Sequence, residues 1–161
     1  MPQVATRYLT KSRFKLALEC PTKLYFTGKP DLYSDANAQD EFMQALADGG
    51  FQVGELAKLM FPGGVEITVG DQDQQVQETT ALLQRENVTI FEGAIRHGNL
   101  FARVDVLRKR GTQVDLIEVK AKSFNSTDPA GFRTKNGGVD TGMLPYLQDV
   151  AFQRHVFGLA Q

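Results

Sequence analysis

The residues best able to do chemistry lie in one stretch, FARVDVLRKRGTQVDLIEVKAKS, which carries Asp105, Glu118 and Lys120. Alternate residues of a strand share a face, so Glu118 and Lys120 project to one side with Val119 behind them. If an even number of residues makes the turn before the strand of Glu118, Asp105 falls on that face too, opposite or diagonal to Glu118. The same parity across the RHGN turn brings Glu92 there and leaves Leu100, Ala102, Val104 and Val106 to fill the other side of the middle strand. Carboxylates crowded in this way raise one another's pKa unless a cation offsets them. Oxygen-only donors suit the hard cations Mg²⁺ and Mn²⁺, which keep several waters as further ligands. Such an ion polarises a phosphoryl oxygen and lowers the pKa of a bound water, the two needs of phosphodiester hydrolysis. Lys120 beside it could orient or deprotonate that water, or stabilise charge on the phosphate. The tripeptide alone has a plainer reading, because Glu–Lys pairs on solvent-facing strands commonly do no more than stabilise a sheet.

The elements that must position these groups are legible from periodicity. After Thr10, an N-cap residue, Phe14, Ala17 and Leu18 recur at helical spacing until Pro21 interrupts, and PTKLYFTGKPDLYSD reads as a turn-rich connector. Residues 37–60 carry an apolar stripe of Phe42, Ala45, Leu46, Val53, Leu56, Ala57 and Met60, with Gly49-Gly50 expected to weaken or kink the helix and Phe61-Pro62-Gly63-Gly64 to end it. A third helix is expected over residues 72–86, started by Asp71 or Asp73 and packing through Val76, Leu82 and Leu83. From Val88 the segments VTIFEGAI, NLFARVDVL and QVDLIEVK, parted by RHGN and KRGT, predict two consecutive hairpins. Residues 123–142 predict a long loop, and residues 144–159 a closing helix with Pro145 in its first turn.

Composition narrows the class. A chain of 161 residues suits one domain with its own core, and 42% hydrophobic with 23% charged residues is ordinary for a globular protein. No apolar run is long enough to span a bilayer and no secretory signal is visible at the start, so no membrane and a cytoplasmic location are expected. Cys20 is the single cysteine, which excludes an internal disulfide or an iron–sulfur cluster built from this chain, and its plain reading is a small buried apolar residue. His97, in a predicted turn, and His155, on the closing helix, have no partner at metal-ligand spacing and read as surface residues. A net charge of −1 gives no global basic footprint, so contact with nucleic acid needs a local patch. Arg103, Arg108, Lys109, Arg110, Lys122, Arg133, Lys135 and Arg154 are the residues available for one.

Four features in order resemble the PD-(D/E)XK nuclease superfamily, and within it the RecB-like exonucleases and their CRISPR-associated relatives. They are Ser12-Arg13-Phe14 through Cys20-Pro21-Thr22-Lys23-Leu24-Tyr25-Phe26, the helix with Val53-Gly54-Glu55, the pair Val104-Asp105 with Ile117-Glu118-Val119-Lys120, and Gln153 in the last helix. The resemblance covers most of the chain. It implies a mixed α/β (α+β) fold with a restriction-endonuclease-like core, a central mixed sheet flanked by helices, its last strand missing. It also implies that residues 1–161, a single nuclease-like domain, form the N-terminal part of a longer protein, and that further cysteines there could complete a cluster with Cys20. Asp105, Glu118 and the carbonyl of Val119 would ligate Mg²⁺ or Mn²⁺, Lys120 would be the catalytic lysine, and Glu55 would approach the metal. Gln153 would match the family's Q-x-x-x-Y motif and help hold a nucleic-acid strand. Phe157 replaces the motif's tyrosine, which removes a hydroxyl and leaves Tyr146 as a candidate substitute.

The expected activity is thus metal-dependent, exonuclease-like hydrolysis of single- or double-stranded DNA in repair, recombination or defence. Two rivals stand beside it: a nuclease-like module that binds nucleic acid or protein without cleaving, and a structural domain whose acidic patch is incidental. The facing of Asp105 and Glu118 discriminates the last of these.

Overall fold

Thr10 opens the first helix, α1 (Lys11–Glu19), its hydroxyl accepting a hydrogen bond from the Arg13 amide at 3.3 Å. The computed structural model describes residues 7–34, 41–68, 70–123, 125, 127 and 131–161, and in the third helix the side chains of Ala45 and of Asp48 onward. Cys20 takes extended backbone and stops α1, and Pro21 then starts a second helix, α2 (Pro21–Phe26), where a turn-rich connector was expected. The missing N–H of proline costs nothing in a first turn, so the residue that ends one helix begins another. Cys20 itself is partly exposed at this joint rather than buried.

The third helix, α3 (Glu41–Leu59), continues through Gly49 and Gly50, so the glycine pair does not end it. The expected start at Asn37 and the side chains of Phe42 and Leu46 lie outside the described residues. Leu56 and Met60 were expected to pack, yet they are exposed, because α3 borders a cleft instead of lying on the core. A short strand that periodicity did not announce follows, β1 (Val65–Glu66), then α4 (Gln72–Leu82), capped by Asp71 through the Gln74 amide.

Two hairpins come next as expected: β2 (Asn87–His97), β3 (Leu100–Arg110) and β4 (Gln113–Ile117). His97 pairs with Leu100 and Arg110 with Gln113, so both turns have two residues and the even parity holds. The sheet has four strands in the order β1-β2-β3-β4, with β1 parallel to β2 and the others antiparallel, hence mixed. The last helix, α5 (Leu144–Leu159), follows a stretch with no regular strand or helix among the described residues. Among the described residues no helix is long and apolar enough to cross a membrane.

One face of β2 and β3 supplies Ile90, Ile95, Ala102, Val104 and Leu107 to a core closed by Leu82 of α4 and by Phe152 and Val156 of α5. Strict alternation would put Val106 there, and the structure corrects that. Glu92 has a left-handed φ of 56°, and the Glu92–Asp105 pair is skipped in an otherwise regular ladder. Alternation therefore slips at this point, so Leu107 enters the core while Val106 lines the cleft beside Asp105.

Gly64, just before β1, is packed so closely that an added Cβ would strike the ring of buried Phe91. Gly64→Ala is expected to destabilise the fold by about 1–3 kcal/mol through overpacking. An unchanged midpoint in urea denaturation would contradict that packing.

Candidate functional site

The edge of β3 facing β4 is divided between two partners. At one end Leu9 bridges to Leu100, accepting from the Phe101 amide at 3.0 Å and donating to the Asn99 carbonyl at 2.8 Å. At the other end β4 pairs only with residues 106–110. In the fork between them the chain leaves the ladder after Ile117, and the continued register sets Glu118 opposite Asp105. The Val119 amide donates to Asp105 Oδ2 at 2.7 Å, pinning the departing chain to β3 through a side chain rather than a strand bond. Glu118 and Lys120 were expected within a strand, but they sit one and three residues past its end. Asp105 and Glu118 share a face, since Lys11 Nζ lies 2.7 Å from Glu118 Oε1 and 3.9 Å from Asp105 Oδ1.

Glu118 is the hub. Its side chain is only 4% exposed, and Lys120 Nζ approaches Oε1 at 2.5 Å while Gln153 Nε2 donates to Oε2 at 2.5 Å. Burial pushes its carboxyl up, but the bonds from Lys11 and Lys120 outweigh that and hold it below the usual value. Asp105 goes the other way: burial first and the neighbouring Glu118 charge second raise it, against Lys11. Desolvation draws the Lys120 ammonium down, and Glu118, Asp149 and Asp105 together bring it above its ordinary value. Two carboxylates side by side are thus driven apart in acidity, a pattern common where acid–base roles are divided.

Asp149, Lys15 and Lys11 complete the cluster, and none was anticipated. Asp149 is fully buried, its oxygens carry no hydrogen bond, and Lys120 and Lys15 stand 3.4 and 3.6 Å from Oδ2. A sign was present in the sequence. Asp149, Phe152, Gln153 and Val156 fall on one helical face, and a carboxylate inside such a stripe needs a cationic partner. Lys11 and Lys15, four residues apart, likewise share a side of α1.

Beside the fork opens a cleft of about 420 Å³ lined by Asp105, Val119, Lys120, Glu92, Arg103, Glu55 and their neighbours. Glu92 reaches the expected face, where its carboxylate pairs with Arg103 at 3.0 Å, and burial, offset in part by Arg103, lifts its pKa. Glu55 borders the cleft with its carboxylate 2.6 Å from Lys58 Nζ, which also touches Glu66 at 2.6 Å. Among the described residues no three His, Cys, Asp or Glu side chains gather as a metal group on their own.

The basic residues divide. Lys122 lies near the site, its ammonium 4.9 Å from the Tyr146 ring centre and bonded to the Gly142 carbonyl, and Lys120 stands 6.0 Å from the same ring. Arg154 is not brought there, because it lies on the outer face of α5 with His155 while Gln153 points inward. Arg108 and Arg110 are committed to Asp115, and Lys109 to the Leu83 carbonyl.

Because the folded Glu118 carboxyl lies below its ordinary 4.5, the stability its pairs provide is present above that value and is lost as acid protonates the folded carboxylate. Metal-free wild type is expected to exceed Glu118→Gln in stability at neutral pH by on the order of 1–3 kcal/mol. Melting curves should converge as the pH falls, and a gap constant through the acid limb would refute the assignment.

No family model matches the chain, no curated protein matches it, and no solved structure matches it.

Proposed function

We propose that the protein is a metal-dependent nuclease of the PD-(D/E)XK kind, with a restriction-endonuclease-like core, hydrolysing DNA phosphodiester bonds. The observation that carries this reading is the fork in the sheet, where Asp105 and Glu118 share one face with Lys120 against Glu118 and a cleft alongside. The donor set fits Mg²⁺ or Mn²⁺, since the oxygens are hard and a lysine ammonium already lies near both carboxylates, a stand-in for a cation. Asp105, Glu118 and the Val119 carbonyl would hold the ion, with water as the remaining ligands. When bound, such an ion activates water and offsets charge on the phosphate.

The chain's own groups do the rest. Gln153, fully buried on α5, fixes the orientation of Glu118. Lys120, held by Glu118 and Asp149, keeps its proton and presents positive charge in the lining of the cleft, which suits stabilising a phosphate. Arg103 and Lys58 also line the cleft, each paired with carboxylates of the same lining, so a phosphate backbone would meet individual cations there rather than a basic surface. Gln153 cannot grip a strand directly while it is engaged with Glu118, so support of the carboxylate is its first role.

The test is incubation of labelled single- and double-stranded DNA with wild type and Asp105→Asn, with Mn²⁺ or with chelator. Cleavage by wild type that chelator stops and Asp105→Asn lacks is the expected result. No cleavage by well-folded wild type, or equal cleavage by both proteins, would sink the proposal; retained binding without cleavage would leave a binding module.

A further inference from the structure

Lys11 stands where a cation shared by Asp105 and Glu118 would be most stabilised, and its described ion pairs are with these two carboxylates alone. Glu118 Oε1 takes two ammonium groups and Oε2 takes the Gln153 amide, so both of its oxygens are engaged. The three holders differ in how firmly they are tied. Gln153 is 1% exposed and locked in the core, and Lys120 is held a second time by Asp149. Lys11, at the first residue of α1, is tied among the described ion pairs only to the two carboxylates that would hold the ion. Charge makes the same point. Lys11, Lys15 and Lys120 already balance Asp105, Glu118 and Asp149 one for one, so a divalent ion would leave an excess of positive charge in a half-buried cluster.

We propose that Lys11 is a built-in counter-ion which a divalent cation must displace from Glu118 and Asp105. Resting on the metal site proposed above, the inference adds a residue that sets how readily the site loads and that keeps the carboxylates from repelling one another when no ion is bound. On displacement the Lys11 ammonium is released beside the cleft, where an anionic strand would be its next partner.

Removing Lys11 removes the competitor and leaves two carboxylates without their shared cation, and both effects favour the metal. Mn²⁺ titration of Lys11→Gln by calorimetry is expected to give a Kd about tenfold tighter than wild type, about 1.4 kcal/mol. The metal-free variant should melt lower than wild type and gain more on adding Mn²⁺. Equal or weaker Mn²⁺ binding would overturn the exchange. A reading free of any folding defect comes from wild type, by nitrogen-15 NMR of the lysine ammonium groups, with Lys11 assigned by Lys11→Arg. Saturating Mg²⁺ should move its signal to that of a solvent-exposed lysine, and a signal that stays put would overturn the inference. The underlying metal site fails separately, if Asp105→Asn binds Mn²⁺ as tightly as wild type.

Discussion

Replacing Lys120 by methionine is expected to lower the rate of Mn²⁺-dependent DNA hydrolysis by about 10²–10³-fold while Mn²⁺ binding is kept. That magnitude is typical of losing one charged group aimed at the developing transition-state charge or at the attacking water. The separation of rate from metal binding follows from the proposed site, because Lys120 touches Glu118 and is not among the proposed ligands, whereas Asp105→Asn would remove a proposed ligand and should lose both. Methionine keeps nearly the length of the side chain, so the change is chiefly one of charge. Single-turnover cleavage beside calorimetry checks both halves. A Lys120→Met protein that cuts at the wild-type rate would leave the cluster as a structural ion network.

Phe152→Ala is expected to cost about 3–5 kcal/mol, the usual loss for truncating a buried phenylalanine to a cavity. Phe152 is buried in the main core and stacks on Phe14 with ring centres 5.0 Å apart. That stack joins α5 to α1 at the level of the charged cluster. Phe14 lies between Lys11 and Lys15, and Phe152 lies between Asp149 and Gln153. Its removal should therefore loosen the fit of both helices over the fork as well as the core. Urea denaturation measures the loss, and a change under about 1 kcal/mol would mean that α5 docks by other contacts.

These two substitutions mark the boundary between what was legible in the sequence and what was not. The two-residue turns and their even parity were enough to set Glu92 and Glu118 opposite Asp105, because the turn length fixes which residues of neighbouring strands stand opposite one another. The closing helix was equally plain, with Pro145 at its first turn and an apolar stripe behind it. Lys11, Lys15 and Asp149 were not found, since nothing local ties residue 11 to residue 118 or residue 15 to residue 149. Those pairings exist only once α1 and α5 pack across the same fork.

Local pattern determined this protein's hairpins, its helix caps and the facing of its acidic residues, all consequences of backbone geometry within a few residues. Only the tertiary structure decided the slip in alternation at Glu92 and Asp105, the departure of β4 from β3 after Ile117, and the three lysines that balance three carboxylates. The reason is electrostatic as much as steric. Each charge is tolerable in its place because a partner from another element meets it there; periodicity can mark Asp149 as a carboxylate on a buried face, but not which distant lysine meets it.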